Sequence, residues 1–195
     1  MSFVLGLTGS IGMGKSTTSG FFREAGVPVW DADAAVHRLY GPGGAAAKKI
    51  ARICPEAVTG GTVNRAELKK WINADPTALS QIEAIVHPLV AQDRAAFLAE
   101  HISAPLVVLD IPLLFETGAS EGMDAVLVVS VDAREQHRRV MERPDMTEET
   151  LATILARQVP DAEKRQRADY VIETYDMGIA RFKVNALIDN LTKGP

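Results

Sequence analysis

Disulfides, zinc clusters and membrane spans have little support in this sequence. The 195 residues include one cysteine, Cys54, so an internal disulfide is excluded and no second thiol is available for a zinc site; we expect Cys54 to be structural. No apolar run approaches the roughly 18 residues that a membrane span requires. The start, MSFVLGLTGS, has no basic flank before its apolar residues, unlike a signal peptide. We therefore expect a cytoplasmic protein that does not associate with membranes.

An excess of positive charge is also missing. The formal net charge is -4, which argues against a general nucleic-acid binder, because such proteins use surplus Lys and Arg to neutralise phosphates. Small phosphorylated ligands remain open, since they need only local positive charge. The sequence has no internal repeat, low-complexity tract or flexible linker, so we expect one cooperative domain, and nothing indicates an obligate protein partner.

Short apolar, β-rich runs alternate with helical stretches along the chain. The runs are residues 3–8, 27–30, 106–111, 125–131 and 170–172. This order predicts an α/β fold of three layers, a mostly parallel sheet with helices on both faces. The core segments are expected at about 1–31, 105–133 and 168–195.

Two intervals are too long to be simple crossovers. Residues 32–104 give several helical segments, interrupted by glycines and with no convincing strand, and this favours a helical insert that shapes an acceptor pocket. Residues 134–167 contain seven of the thirteen arginines. Arginine suits bidentate phosphate contacts, so this interval is a candidate mobile lid over a triphosphate. A solvated pair of amphipathic helices is the alternative.

The most specific motif follows the first apolar run and precedes a helical stretch. It matches G-x-x-x-x-G-K-[ST] with Gly9, Ser10, Ile11, Gly12, Met13, Gly14, Lys15 and Ser16. Such a loop directs backbone N–H groups at phosphate oxygens, aided by the helix N-terminus. We expect Lys15 to bridge the β- and γ-phosphates of ATP, Ser16 to be a Mg²⁺ ligand, and Thr17 to lie near the α-phosphate.

Carboxylates follow two of the predicted strands. A kinase needs a group that orients the acceptor hydroxyl and accepts its proton, and Asp33 in Asp31-Ala32-Asp33 is our candidate, with Asp31 beside it. Helix N-capping by one of the two aspartates is the alternative. Asp110 ends a buried-strand pattern in the manner of a Walker-B aspartate and is a second candidate Mg²⁺ ligand.

Further acceptor contacts are suggested by two other segments. The apolar loop 111–116 carries Leu113 and Phe115, which either flank an acceptor or belong to the core. His87 precedes Pro88 at a predicted break between two helices, where it either contacts an acceptor phosphate or caps a helix end.

Five segments in this order, 7–16, 31–33, 87–88, 110–116 and 168–172, resemble the dephospho-CoA kinase family over nearly the whole chain. The resemblance implies ATP-dependent phosphorylation of the ribose 3′-hydroxyl of dephospho-CoA, giving coenzyme A, by a nucleotide core, a helical acceptor domain and a lid. It also implies that Asp33 is the catalytic base and that Arg139 and Arg143 reach the phosphates, with Arg143 acting in catalysis.

The sequence departs from the family pattern at several places. Ser10 and Met13 stand where the family more often has Gly and Ser, but both are variable positions of the phosphate-loop template. Ile154 stands where an arginine often precedes the lid glutamine, here Gln158, so the arginine that meets the transition state is not assigned. After Ile172 the family usually continues with Asp-Asn and a glycine, and here Glu173-Thr174-Tyr175-Asp176 stands instead, so adenine contacts from that loop do not transfer. The competing interpretations are a nucleoside or nucleoside monophosphate kinase of the same architecture and a P-loop GTP or ATP switch, although the Asn-Lys-x-Asp guanine motif is absent.

Overall fold

The computed structural model describes residues 2–193, and these residues form the following strands and helices. The strands are β1 (Phe3–Thr8), β2 (Val29–Asp31), β3 (Val58–Thr59), β4 (Thr62–Val63), β5 (Leu106–Asp110), β6 (Ala125–Ser130) and β7 (Tyr170–Glu173). The helices are α1 (Lys15–Glu24), α2 (Ala32–Tyr40), α3 (Ala45–Ile53), α4 (Arg65–Ala74), α5 (Ala78–Glu100), α6 (Ala133–Met141), α7 (Glu148–Leu155), α8 (Asp161–Arg167) and α9 (Met177–Lys193). A 3₁₀ turn spans Pro55–Ala57.

Five of the strands form one sheet in the order β2-β5-β1-β6-β7. β1 pairs in parallel with both β5 and β6, and β6 pairs in parallel with β7. α1 and α9 pack against each other and against strands of the sheet, and α8 packs against β6. A mostly parallel sheet flanked by helices confirms the predicted α/β class.

The composition of the central strands follows from their position. Every residue of β5 and β6 is buried, because a parallel strand with helices over the sheet has no solvent-facing side. Both strands are accordingly apolar up to their last residues, the buried Asp110 and Ser130. The register pairs Leu7 with Asp110 and Thr8 with Val128. The carboxyl ends of the three central strands therefore meet at one edge, where ligands of open α/β sheets bind.

The chain divides into two compact units. The first consists of residues 2–30 and 101–193 and contains most of the sheet, with a core that includes Leu5, Leu7, Phe22, Val108 and Leu127. The second is Asp31–Glu100, where the predicted insert was 32–104. The predicted lid, 134–167, belongs to the first unit. Within residues 2–193, no helix combines the length and apolarity needed to cross a bilayer.

The second unit has its own core, formed mainly by its helices, with Ala46, Ile50, Leu68, Ile82 and Val86 among its buried residues. It also contains an antiparallel hairpin of β3 and β4, in which Val58 pairs with Val63 and Thr59 with Thr62. The prediction that this interval has no strand is therefore wrong. Strands of two residues are too short to produce an alternating pattern in the sequence.

The predicted break between two helices at His87-Pro88 is also wrong, because α5 continues through Pro88. Proline removes one N–H and crowds the carbonyl four residues earlier, that of Ala84. Ala84, His87 and Pro88 are all exposed, so water can solvate the unpaired carbonyl. The buried Val86 and Leu89 hold the same helix against the core.

The N-cap of α4 provides a test of the second unit. The Asn64 side chain accepts hydrogen bonds from the backbone N–H groups of Ala66 (3.0 Å) and Glu67 (3.3 Å). We expect Asn64→Ala to lower the free energy of unfolding by about 1 kcal/mol, since these groups lose their partner. Asn73→Ala, at an exposed position of the same helix, is the matched control and should be neutral or slightly stabilising, because alanine favours a helix more than asparagine does. Urea unfolding followed by circular dichroism measures both, and equal effects would contradict the capping role.

Candidate active site

The glycine-rich loop between β1 and α1 has a backbone that requires glycine at two positions. Gly12 and Gly14 have φ angles of 80° and 87°, in the left-handed region that favours glycine. A Cβ on Gly12 would lie 2.6 Å from Val140 Cγ2, and one on Gly14 would lie 2.8 Å from Thr174 Oγ1. The loop can therefore wrap closely around an anion at the N-terminus of α1.

Neighbouring elements hold this loop by its backbone. The Ile11 N–H donates to Gln158 Oε1 (3.2 Å), and the Ile11 carbonyl accepts from Gln136 Nε2 (2.8 Å). The Met13 carbonyl accepts from Thr174 Oγ1 (2.8 Å), while the Met13 side chain is buried. The loop conformation is therefore fixed before a ligand arrives, and Met13 can offer a ligand only backbone groups.

Lys15 and Asp110 are brought together at the carboxyl ends of β1 and β5. The Lys15 Nζ lies 2.6 Å from Asp110 Oδ1, and the Asp110 side chain is 2 % exposed. The sequence assigned these residues separate roles and gave no sign of this ion pair. A triphosphate that enters the loop competes with Asp110 for the Lys15 ammonium.

The oxygens beside this pair are suited to Mg²⁺. Ser16 and Thr17 are exposed in the first turn of α1, and the Ser16 hydroxyl and Asp110 carboxylate are hard oxygen donors. Across residues 2–193, no group of three or more His, Cys, Asp or Glu side chains lies together to hold a metal. Mg²⁺ commonly uses one or two protein oxygens together with substrate phosphates, so the donor set fits this ion.

A cavity of about 380 Å³ adjoins the loop within the first unit. Its wall combines backbone of the loop, α1, the arginine-bearing face of α6 and the segment after β7. The lining residues are Gly12, Gly14, Thr17, Thr18, Phe21, Glu135, Arg138, Arg139, Arg143, Thr174, Tyr175, Met177 and Ala180. The cavity joins apolar, aromatic and cationic groups, which suits a heterocyclic base with attached phosphates.

The two predicted phosphate arginines differ in their surroundings. Arg139 donates to Thr174 Oγ1 (3.0 Å), to the Thr174 carbonyl (2.7 Å) and to Glu135 Oε1 (2.7 Å). Arg143 lines the same cavity but is exposed and makes no side-chain hydrogen bond or ion pair with residues 2–193. Arg143 is therefore available to a phosphate, whereas Arg139 is held against the segment after β7.

The carboxylate of Glu135 organises the arginines of α6. Hydrogen bonds from Arg138 and then Arg139 lower the pKa of Glu135 to about 2, so it is ionised at neutral pH. Tyr175 contacts Asp132, the N-cap residue of α6. Its Oη accepts from the Asp132 N–H (2.7 Å) and donates to Asp132 Oδ2 (3.1 Å). The segment that departs from the family pattern thus forms an ordered wall of the cavity.

The acceptor-side candidates of the second unit have distinct environments. Asp31 caps α2, because its Oδ1 accepts from the Ala34 N–H (3.0 Å), so the capping alternative is confirmed for this residue. Asp33 lies in the first turn of α2 and is exposed. His87 is exposed on α5. The capping role of Asp31 leaves the Asp33 carboxylate available for chemistry.

The two predicted acceptor contacts in the loop after Asp110 differ in their exposure. Leu113 is 40 % exposed, whereas Phe115 is 7 % exposed and has the Arg167 guanidinium 4.4 Å from its ring centroid. Leu113 is thus open to a ligand in this structure, and Phe115 is covered.

Sequence reasoning missed a buried ion pair between this loop and α8. Lys164 is fully buried, and its Nζ lies 2.8 Å from Glu116 Oε1, which also accepts from the Val159 N–H (2.8 Å). Burial alone would raise the pKa of Glu116, but Lys164 and backbone N–H groups lower it overall. An i+3 or i+4 pattern could not reveal this pair, since its members are 48 positions apart in the sequence.

A parallel sheet whose first strand leads through a G-x-x-x-x-G-K-S loop into a helix defines the chain as a P-loop nucleotide-binding protein of the kinase type. Its residues 3–178 match the family model for dephospho-CoA kinase. A protein named dephospho-CoA kinase from Cereibacter sphaeroides is 58% identical over 189 residues, 97% of this chain and 95% of that protein. The chain belongs to the dephospho-CoA kinase family.

Two solved structures share the fold of this chain. The crystal structure of TT1252 from Thermus thermophilus is 37% identical, with a TM-score of 0.80 over 98% of each chain. The structure of dephospho-CoA kinase from Campylobacter jejuni has a TM-score of 0.71 over 99% of each chain. Its identity is 21%, so this second likeness supports the fold alone.

Removing one member of the buried ion pair should destabilise the protein. We expect Lys164→Met to lower the free energy of unfolding by about 3–5 kcal/mol, because Glu116 is left as a buried, uncompensated charge. The double variant Glu116→Gln, Lys164→Met should recover most of this loss, because no buried charge remains. Urea unfolding of the three proteins gives the comparison, and a double variant as unstable as Lys164→Met would contradict the electrostatic explanation.

Proposed function

We propose that this chain transfers the γ-phosphoryl group of ATP to the ribose 3′-hydroxyl of dephospho-CoA, giving coenzyme A and ADP in the final step of coenzyme A synthesis. The observation that carries the proposal is an intact phosphate loop in a chain that matches the dephospho-CoA kinase family along nearly all of its length. The enzyme is accordingly a kinase. The family match favours this function over the two alternatives, a nucleoside or nucleoside monophosphate kinase and a P-loop switch protein.

For the nucleotide, we propose that the triphosphate lies on the loop and the base in the adjoining cavity. The cavity is within the range of small-ligand sites, and Tyr175 and Arg139 offer a flat and a cationic surface to a heterocycle. Lys15 would bind the β- and γ-phosphates. Thr17, the residue after Ser16, would contact the α-phosphate. Arg143 would contribute the free cation that stabilises charge during transfer.

Mg²⁺ would be held by Ser16 and Asp110 together with ATP oxygens. When bound, it neutralises charge on the β- and γ-phosphates. Lys15 would then bind the phosphates in place of Asp110, and the Asp110 carboxylate would act as a metal ligand. The residues thus exchange partners without leaving a buried charge uncompensated.

We propose Asp33 as the base that orients the 3′-hydroxyl and accepts its proton. The support is its place directly after β2, its exposed carboxylate, and the capping of α2 by Asp31 instead. A carboxylate is a suitable acceptor because the hydroxyl proton becomes acidic only as the new bond forms. Asp31, His87, Leu113 and Phe115 remain predicted acceptor contacts.

We propose a lid shorter than the interval 134–167 that the sequence indicated. Gln136 and Val140 of α6 are buried, and Lys164 of α8 is fully buried, so both flanks are anchored. We therefore limit the segment that closes to residues 142–157, which includes α7 and carries the exposed Arg143 and Arg157. Closure would exclude water and limit ATP hydrolysis. A cytoplasmic location remains a prediction from the sequence.

The acceptor is tested by ADP release from purified protein with ATP and Mg²⁺, with and without dephospho-CoA. We expect release that depends on dephospho-CoA and a product heavier by one phosphate, detected by mass spectrometry. Nucleoside monophosphates serve as comparison acceptors, since they share the nucleotide but lack the pantetheine arm. Turnover of a monophosphate with none of dephospho-CoA would overturn the acceptor assignment and leave the kinase chemistry intact.

The base is tested by Asp33→Asn. We expect kcat to fall by about 10²- to 10⁴-fold, because the amide cannot accept the proton, while the Kd for ATP changes by less than about twofold. Asp31→Asn is the matched control, since asparagine also caps helices well, and its kcat should fall far less. A fully active Asp33→Asn enzyme would rule out the base assignment.

A further inference from the structure

The peptide groups of Ile11 are held by two glutamines from separate parts of the chain. Gln136 belongs to α6, near the start of the arginine-rich interval, and Gln158 follows α7, near its end. Gln136 Nε2 donates to the Ile11 carbonyl at 2.8 Å, and Gln158 Oε1 accepts from the Ile11 N–H at 3.2 Å. The two stretches that flank the proposed lid 142–157, here called its roots, therefore meet at one residue of the phosphate loop.

Gln136 is fixed in position by its own helix. Its side chain is buried, and α6 begins at an N-cap formed by Asp132, whose Oδ1 accepts from the Glu135 N–H at 2.8 Å. A Cβ on Gly12 would lie 3.1 Å from the Gln136 carbonyl, so the loop packs closely on the backbone of α6. Gln136 can therefore donate to Ile11 with little further loss of side-chain freedom.

Gln158 is fixed through its neighbour in the sequence. The Val159 N–H donates to Glu116 Oε1 at 2.8 Å, and Glu116 is paired with the fully buried Lys164. This pair ties the segment at Gln158 to the loop that follows Asp110. The Thr8 hydroxyl donates to the Pro112 carbonyl of the same loop at 3.1 Å. This loop is therefore hydrogen-bonded to the end of β1, where the phosphate loop begins.

We propose that Gln136 and Gln158 are positioning residues that fix the phosphate loop from the two roots of the lid. The inference rests on the proposed function and adds to it a pair of residues that touch neither the reacting atoms nor the acceptor. Their hydrogen bonds hold the loop in the shape that binds phosphates, which lowers the ordering cost of binding ATP.

The test replaces each amide by a side chain of similar length. Gln136→Met and Gln158→Met remove the donor and the acceptor and keep an unbranched side chain, and Gln166→Met on the exposed face of α8 is the matched control. Steady-state kinetics would give the KM for ATP, the KM for dephospho-CoA and kcat. We expect each of the first two variants to raise the KM for ATP by about 3- to 10-fold, the range of one neutral hydrogen bond.

The KM for dephospho-CoA should stay within about twofold in these variants, because neither glutamine binds the acceptor. The double variant should lose less than the product of the two single effects, since both bonds hold the same residue. Gln166→Met should match the unmodified enzyme. Equal changes in both KM values, or no change in either, would overturn the proposal.

Hydrogen exchange of the Ile11 amide gives a readout that does not depend on turnover. Without ligand, Gln158→Met should speed this exchange, whereas Gln158→Glu should keep it slow because its carboxylate still accepts the bond. If the protein proves inactive toward dephospho-CoA but shows this pattern, the acceptor assignment fails and the positioning role stands. Slow exchange in Gln158→Met would contradict the positioning role whatever the acceptor.

Discussion

The complete burial of β5 and β6 limits where polar chemistry can occur in this protein. Strands covered on both faces accept only apolar side chains along their length, so charged groups are confined to strand ends and the loops that follow. Asp110 shows the limit of this rule, since it ends β5 and is almost fully buried beside Lys15. The parallel register brings this strand end level with the phosphate loop, and the polar groups of the first unit gather around that edge.

Electrostatic compensation is the second requirement at this edge. A buried carboxylate without a partner is costly, and the ammonium of Lys15 supplies the charge when no phosphate is bound. Entry of a triphosphate with Mg²⁺ would give each member of the pair a new partner of opposite charge. The same principle appears at Glu116 and Lys164, where the partners are covered and fixed. The Lys15–Asp110 pair can exchange partners because it lies at the phosphate loop. The Lys164–Glu116 pair is covered and therefore keeps the same partners.

The sequence was sufficient for features that depend on local order. The phosphate loop, the positions of the five main strands and the family followed from contiguous motifs, and the capping of α2 by Asp31 was foreseen as an alternative. The hairpin around Gly60-Gly61 was missed because its strands have two residues each. The helix through Pro88 was missed because tertiary packing of Val86 and Leu89 outweighs the local effect of proline. Gln136 and Thr174 were missed since their partners lie more than a hundred residues away.

Thr174 illustrates why such contacts have consequences for function. Its hydroxyl donates to the Met13 carbonyl and accepts from Arg139, while a Cβ on Gly14 would collide with the same oxygen. The glycine and the threonine are therefore complementary: the phosphate loop can adopt its shape only if position 14 has no side chain, and Thr174 fills the space. Because Thr174 lines the cavity together with Arg139 and Tyr175, one contact influences the geometry of both the phosphate loop and the adjoining cavity. A change of residue in the segment after β7 would consequently alter both, even if it touched no ligand.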